Sequence, residues 1–363
     1  MTTISLCMIV KDEESVLRRC LDSVKDIVDE IIIVDTGSTD NTKKIAKDFT
    51  DKIFDYSWID DFSAARNYSY SKATMNYILW LDADDVVLEE DRVKLKLLKQ
   101  CFDPTVDIVM MKYNTGFDSQ GNVTFSCFRE RLSKRARSCT WYEPVHEYLQ
   151  IEGKIINVDI CITHKKIHAP EPGRNLGIYE KIISLGNELT PRGLYYFARE
   201  LKDSGRYDDA IEYFIKFLDS EKGWVEDNIW ACSELAKCYS IKDDNRNTLS
   251  ALFRSFEYDT PRAELCCQIG YYFKGKKNYN LAIYWFDLAT KLKKPENSWG
   301  FIDHDSWSYI PCIELSICYD KLGDLDKAIK YNNMAEEYKP YNPSVLYNKR
   351  YFEGLKKYRL LTD

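Results

Sequence analysis

The sequence predicts a chain in two parts: an α/β half on a mostly parallel sheet, then an all-α solenoid of helical repeats. Three observations carry that expectation. Short apolar, β-branched runs alternate with stretches of helical spacing through the first half, as βαβ units require. Three of those runs end abruptly in acidic or hydroxyl-rich turns. Beyond residue 170 the period becomes helix–turn–helix and repeats itself. The length of 363 residues agrees with two domains at roughly 150 residues each.

The elements follow in order. Ile4–Val10 (ISLCMIV) reads as a buried strand, broken by Lys11-Asp12-Glu13-Glu14-Ser15. Val16, Leu17, Cys20, Leu21 and Val24 then recur at helical spacing. Ile31–Val34 (IIIV) is a second strand and stops at Asp35-Thr36-Gly37-Ser38-Thr39-Asp40, a turn whose Thr39 or Asp40 can cap a helix over 41–49. Lys52–Tyr56 is a weaker strand, 62–76 a helix, and Tyr77–Leu81 the next strand, ending at Asp82-Ala83-Asp84-Asp85. Strands are also expected at Asp107–Lys112, Val123–Arg129 and Ile155–Thr163. The stretch His168-Ala169-Pro170-Glu171-Pro172-Gly173 punctuates the chain as a hinge, giving domains 1–169 and 170–363.

The second half repeats at 194–218, 265–292 and 312–340. Each copy has a small residue in its first helix (Ala198, Gly270, Ser316) and an Ala twelve positions later (Ala210, Ala282, Ala328). Tyr207, Tyr279 or Leu325 stands three residues before that Ala. This is the tetratricopeptide pattern of about 34 residues. A weaker copy carries Ala236, Tyr239 and Pro261, with Thr248 where Ala is expected. The repeats are set at about 191–222, 229–261, 263–292 and 309–340, with a cap at 344–361.

Composition excludes several classes. The net charge of −7 argues against a nucleic-acid partner, which requires a basic surface. No run reaches the roughly 18 apolar residues of a membrane span. The N-terminus turns acidic at once, unlike a signal peptide. Twelve scattered cysteines without a C-x-x-C pair read as reduced thiols in a cytoplasmic protein.

The three polar clusters, 11–14, 35–40 and 82–85, each follow a buried strand and so should share one sheet edge, where α/β sheets bind ligands. Three carboxylates against apolar neighbours repel unless a cation sits among them. Asp82 and Asp84, two residues apart, share one side of an extended segment. An oxygen-rich site of this kind suits Mg²⁺ or Mn²⁺, completed by phosphate oxygens. Asp35 can accept from a ribose hydroxyl or a base N–H. The planar fork of Arg66 suits a phosphate or a carboxylate. Taken singly, an acidic turn is most often solvated and an Arg most often on the surface.

In order, SLCMIVKDEESVLRRCLDSV, EIIIVDTGSTDNTKKIA, WIDDFSAARNYSYSKA and ILWLDADD resemble a family 2 glycosyltransferase of the GT-A, Rossmann-like fold. The nearest subgroup in kind comprises bacterial lipopolysaccharide-core glucosyltransferases and the peptide S-glycosyltransferases of glycosylated bacteriocins. The resemblance implies inversion at the anomeric carbon, a nucleotide sugar (commonly a UDP-sugar) as donor, and Mg²⁺ or Mn²⁺. Val10, Lys11, Glu13 and Asp35 match nucleotide-binding positions, Arg66 a nucleotide contact, and Asp82-Ala83-Asp84 the D-x-D metal motif. Asp84 is expected on the ion, Asp82 towards the ribose or on the ion through water, and Asp85 nearer the sugar. The segment WYEPVHEYLQIEGKIINVDICITHKKIH resembles the same subgroup. His164 then matches a histidine that completes the metal shell. Glu147 or His146 is the candidate base for the acceptor proton, with Glu143 weaker. The basic stretch Arg129, Arg131, Lys134, Arg135 and Arg137 is either a solvated strand face or an attraction for the diphosphate. The α/β half is short on its acceptor side, which leaves the acceptor wall undefined.

The expectation is thus transfer of a sugar to a protein or peptide side chain, the repeats holding the acceptor or forming a homodimer. The alternatives are transfer to a lipopolysaccharide or other glycan, and an inactive transferase serving as a scaffold.

Overall fold

A computed structural model describes residues 2–167, 171–295 and 298–362, with side chains to Lys357. The predicted hinge residues His168, Ala169 and Pro170 lie outside the described residues. Two compact units result: the first runs to Tyr196 and takes in a short segment ending at Phe301, and the second comprises the remainder from Phe197.

In the first unit β1 (Ile4–Val10), α1 (Leu17–Val24), β2 (Glu30–Asp35), α2 (Thr42–Lys47), β3 (Ile53–Asp55), α3 (Phe62–Ser71) and β4 (Tyr77–Trp80) alternate as the pattern predicts. A two-residue β5 (Asp85–Val86), α4 (Glu89–Gln100), β6 (Ile108–Phe117), β7 (Val123–Lys134), the short pair β8 (Trp141–Tyr142) and β9 (Tyr148–Leu149), and β10 (Ile155–His164) follow. The main sheet runs β3-β2-β1-β4-β7-β6-β10-β5. The first four strands are parallel, β7 is antiparallel to β4 and β6, and β10 is parallel to β6. Leu6, Met8, Ile33 and Leu79 are fully buried, so strands covered on both faces read as unbroken apolar runs.

The helix expected over 62–76 stops at Ser71. Glu30 draws the chain away from helix there, accepting from the Thr74 N–H and hydroxyl at 2.9 Å each. Helix α4 did not stand out in the sequence, although Glu89, Glu90 and Asp91 in its first turn suit a helix start. Gly173, at φ 75°, opens α5 (Arg174–Ser184).

The second half is a set of helix pairs: α6 (Pro191–Asp203) with α7 (Tyr207–Asp219), α8 (Val225–Ile241) with α9 (Asn245–Arg254), α10 (Ala263–Gly275) with α11 (Tyr279–Lys291), and α12 (Tyr309–Lys321) with α13 (Leu325–Tyr338). Helix α14 (Pro343–Thr362) closes the array. Ala198, Ala210, Ala282, Ser316 and Ala328 are fully buried where paired helices meet. A methyl on Gly270 would come within 2.7 Å of the Phe286 ring. Thr248 stays buried at an Ala position because its hydroxyl bonds the Asp244 carbonyl at 2.7 Å. Asp244, Asn278 and Asp324 cap the second helices, accepting from backbone N–H groups three residues on. Lys202–Glu234 and Lys274–Glu314 ion pairs link neighbouring first helices. All twelve cysteines are free thiols.

Candidate active site

The sheet register builds the site. Val10 pairs with Asp35, so the loops after β1 and β2 leave the sheet side by side. They are stitched together: Ser38 accepts from the Asp12 N–H at 2.9 Å, and Asp12 accepts from the Thr39 N–H at 2.7 Å. The Glu13 N–H donates to Thr42 at 2.7 Å. Lys11 is exposed. Asp35 is 1% exposed; its Oδ2 accepts from the Gly37 and Ser38 N–H groups, while its Oδ1 is buried with no hydrogen-bond partner. Gly37 at φ 106° makes that turn, a conformation that favours glycine.

Pairing of β5 with β10 sets His164 opposite Asp85. Residues far apart in the chain therefore converge. His164 Nδ1 lies 3.4 Å from Asp84 and 3.5 Å from Asp85, and 2.9 Å from the Tyr113 hydroxyl. Asp84, Asp85 and His164 each offer one ligand atom within 4.8 Å of the others. Hydrogen bonding to the two carboxylates pushes His164 up to about 9. Asp85 is fully buried, and its Oδ1 lacks a hydrogen bond of ordinary length. Two carboxylates, one of them with a buried oxygen lacking a close hydrogen bond, and one imidazole fit a divalent ion of the Mn²⁺ type. Ala83 is buried between the carboxylates.

Asp82 is engaged elsewhere. Arg66 Nη2 donates to its Oδ1 at 2.7 Å, and Arg66 Nε donates to Glu147 at 2.6 Å. The guanidinium lies against both the Trp80 and Trp141 rings, 4.8 and 4.9 Å from their centroids, the two rings themselves meeting edge to face. Burial alone would raise the Asp82 carboxyl, but Arg66 and Arg131 outweigh it and hold it at about 2. Burial, then Asp84 and Asp82, lift Glu13 to about 7. The expected ligand set of Asp84, Asp82 and His164 thus differs from the converging set in one member, Asp85 for Asp82.

Of the expected bases, Glu147 shares Arg66 with Asp82. His146, at φ 54°, stacks its ring on Tyr196 at 4.1 Å. Glu143 accepts from the Thr190 hydroxyl at 2.6 Å.

Residues 5–160 match the family model described as glycosyl transferase family 2. The N-terminal half is a family 2 glycosyltransferase domain. The chain is 26% identical to the SPbeta prophage-derived glycosyltransferase SunS of Bacillus subtilis, over 95% of this chain and 85% of that one. It is 51% identical to a TPR repeat-containing protein of Synechococcus elongatus over 96 residues, which are 26% of this chain and 24% of that one. The solved structure of YrrB, titled a TPR protein with an unusual peptide-binding site, aligns with TM-score 0.37 and 16% identity, over 49% of this chain and 84% of that one.

Within this glycosyltransferase domain the basic stretch divides: Arg135 and Arg137 are exposed, as a solvated face would be, while Arg131 is not. Arg131 is fully buried against Asp85, Arg129 pairs with Glu130 at 3.2 Å, and Arg137 clamps Asp107 through two 2.8 Å bonds. Arg135 donates to the Met75 carbonyl. The Trp80–Trp141 pair around Arg66 also escaped the sequence. Its only signal was a Trp placed two residues before the D-x-D.

Proposed function

We propose that the chain is an inverting, metal-dependent glycosyltransferase that moves a sugar from a nucleotide sugar, most simply a UDP-sugar, to a protein or peptide side chain. The convergence of Asp84, Asp85 and His164 beside the Arg66–Glu147 pair carries this reading. Val10, Lys11, Glu13 and Asp35 would hold the nucleotide, with the unpartnered Asp35 Oδ1 as acceptor for a base or ribose donor. Asp84 and His164 would hold Mn²⁺ or Mg²⁺, with Ala83 spacing the acidic pair. The ion, when bound, supplies positive charge against a diphosphate leaving group. Arg66 holds Asp82 towards the nucleotide and orients Glu147.

Glu147 is the base of choice over His146. A carboxylate fixed beside the nucleotide-binding Arg66 is positioned to take the acceptor proton, whereas the His146 ring is committed to Tyr196. The helical repeats support a polypeptide acceptor, since such solenoids present extended concave surfaces for peptides. Self-association through the repeats is the other use of that half. Among the described residues no helix is long and apolar enough to cross a membrane.

Incubating the full chain with labelled UDP-sugars, Mn²⁺ and candidate peptides tests the reading. Metal-dependent donor turnover that disappears in Asp84→Ala is expected. Equal turnover in Asp84→Ala, or none in the unaltered chain with any nucleotide sugar, would refute it.

A further inference from the structure

Arg131 has no part in nucleotide or acceptor binding as described, yet its side chain and that of Asp85 are both 0% exposed. Strand β7 delivers it: Leu132 pairs with Leu79, which brings the preceding residue beside the end of β4. Arg131 Nη1 donates to Asp85 Oδ2 at 2.9 Å and reaches the Trp80 carbonyl at 3.3 Å. The guanidinium lies 3.8 Å from the Trp80 ring centroid and 4.4 Å from that of Tyr113. Tyr113 in turn contacts His164 at 2.9 Å. Arg131 Nε and Nη2 are buried with no hydrogen-bond partner.

A fully buried ion pair is an expensive way to fill a core, because both charges lose their water. Two apolar side chains would pack the same space without that cost. What the pair adds is direction. Asp85 Oδ2 is held twice, by Arg131 and by the Asp82 N–H at 3.1 Å, so the carboxylate cannot turn. Its other oxygen, Oδ1, makes no hydrogen bond of ordinary length and faces His164 Nδ1 at 3.5 Å, beside Asp84. Arg131 also supplies the positive charge that lets three neighbouring carboxylates stay together before a cation arrives.

We propose that Arg131 is a positioning residue for the cation site: it locks one oxygen of Asp85 so that the other completes the set formed with Asp84 and His164. Asp85, not Asp82, is then the second carboxylate of that site. The inference rests on the metal-dependent reading above and names the residue that preassembles it. Trp80 belongs to the same device, since its ring lies closest to Arg131 and also meets Arg66 and Arg129.

Titrating the full chain with Mn²⁺ alone, by calorimetry and by the Mn²⁺ paramagnetic resonance spectrum, decides the matter. Loss of an outer partner of a metal ligand typically weakens metal binding about 10- to 100-fold. That loss is expected in Arg131→Gln. Arg131→Lys keeps the buried charge but not the fork or the ring stacking, so it should fold, bind Mn²⁺ more weakly and give an altered resonance line shape. It carries the test if Arg131→Gln fails to fold. Asp85→Asn should weaken Mn²⁺ binding more than Asp82→Asn does. UDP binding measured without metal should be unchanged in Arg131→Lys. A purely structural Arg131 would lower the melting temperature yet leave the Mn²⁺ affinity of the folded chain within about twofold; that result would overturn the proposal alone. Absence of Mn²⁺ binding in the unaltered chain would overturn the metal reading and this inference with it.

Discussion

Arg66 shows how much one side chain can organise. Its fork ties the loop after β4 to the segment before β9, through Asp82 and Glu147, and two indole rings fix its plane. Glu147→Gln keeps the size and the acceptor oxygen but removes basicity, so kcat should fall about 10²- to 10⁴-fold. Nucleotide binding should be little changed. A KM-against-kcat comparison with saturating donor checks this; unchanged kcat would return the base to His146. Arg66→Lys loses the fork that reaches Asp82 and Glu147 at once and should weaken nucleotide binding and turnover together. At this scale the sequence pointed to the residues that converge where they have local spacing, as in Asp84 and Asp85, or end a strand, as in His164, but it set Asp82 where the structure brings Asp85. It named Arg131 only within a basic stretch and did not find its partner. Whether an Arg on β7 faces water or a buried Asp depends on which strand pairs with it, and that pairing is non-local.

At the level of elements, the helix pairs followed the sequence closely because their signal is periodic and local. The weak second repeat is explained by Thr248, whose hydroxyl is satisfied within its own helix. Gly270 is a case where packing overrides propensity. In an open helix Gly→Ala would stabilise by up to about 1 kcal/mol. Here the added methyl meets the Phe286 ring at 2.7 Å, and overpacking typically costs about 1–3 kcal/mol. Gly270→Ala should therefore lower stability in urea unfolding. Helix α10 also carries a buried acid. Burial lifts Glu264 from 4.5 to about 7, against the pull of hydrogen bonds from the Trp307 indole N–H at 2.6 Å and the Asp303 N–H. A carboxyl raised on folding contributes most below its unfolded value. That contribution is lost as pH rises from about 4.5 through about 7, and amounts to about 3 kcal/mol in all. Glu264→Gln should flatten the dependence of melting on pH across this window.

For the molecule as a whole, the chain divides into two compact units, each with its own buried core. A ligand stabilises what it binds by about 2.7 kcal/mol at a hundred times its dissociation constant. Calorimetric unfolding with UDP and Mn²⁺ should thus raise the transition of the glycosyltransferase domain and leave that of the repeats in place. A uniform shift would mean that the two unfold as one. The two-part architecture was legible because its halves have different hydrophobic periods. The compact division between Tyr196 and Phe197 was not, since it falls inside α6 where the helical pattern is unbroken. The thiols offer a way to watch these halves separately. Cys101 is exposed, Cys139 and Cys161 are half-buried, and the other nine are buried, six of the twelve thiols falling in each unit. One maleimide per native molecule should go on at Cys101, giving a dye position away from the candidate active site. The slower labelling of the buried thiols, followed by mass spectrometry, would then clock the opening of each unit within a single sample.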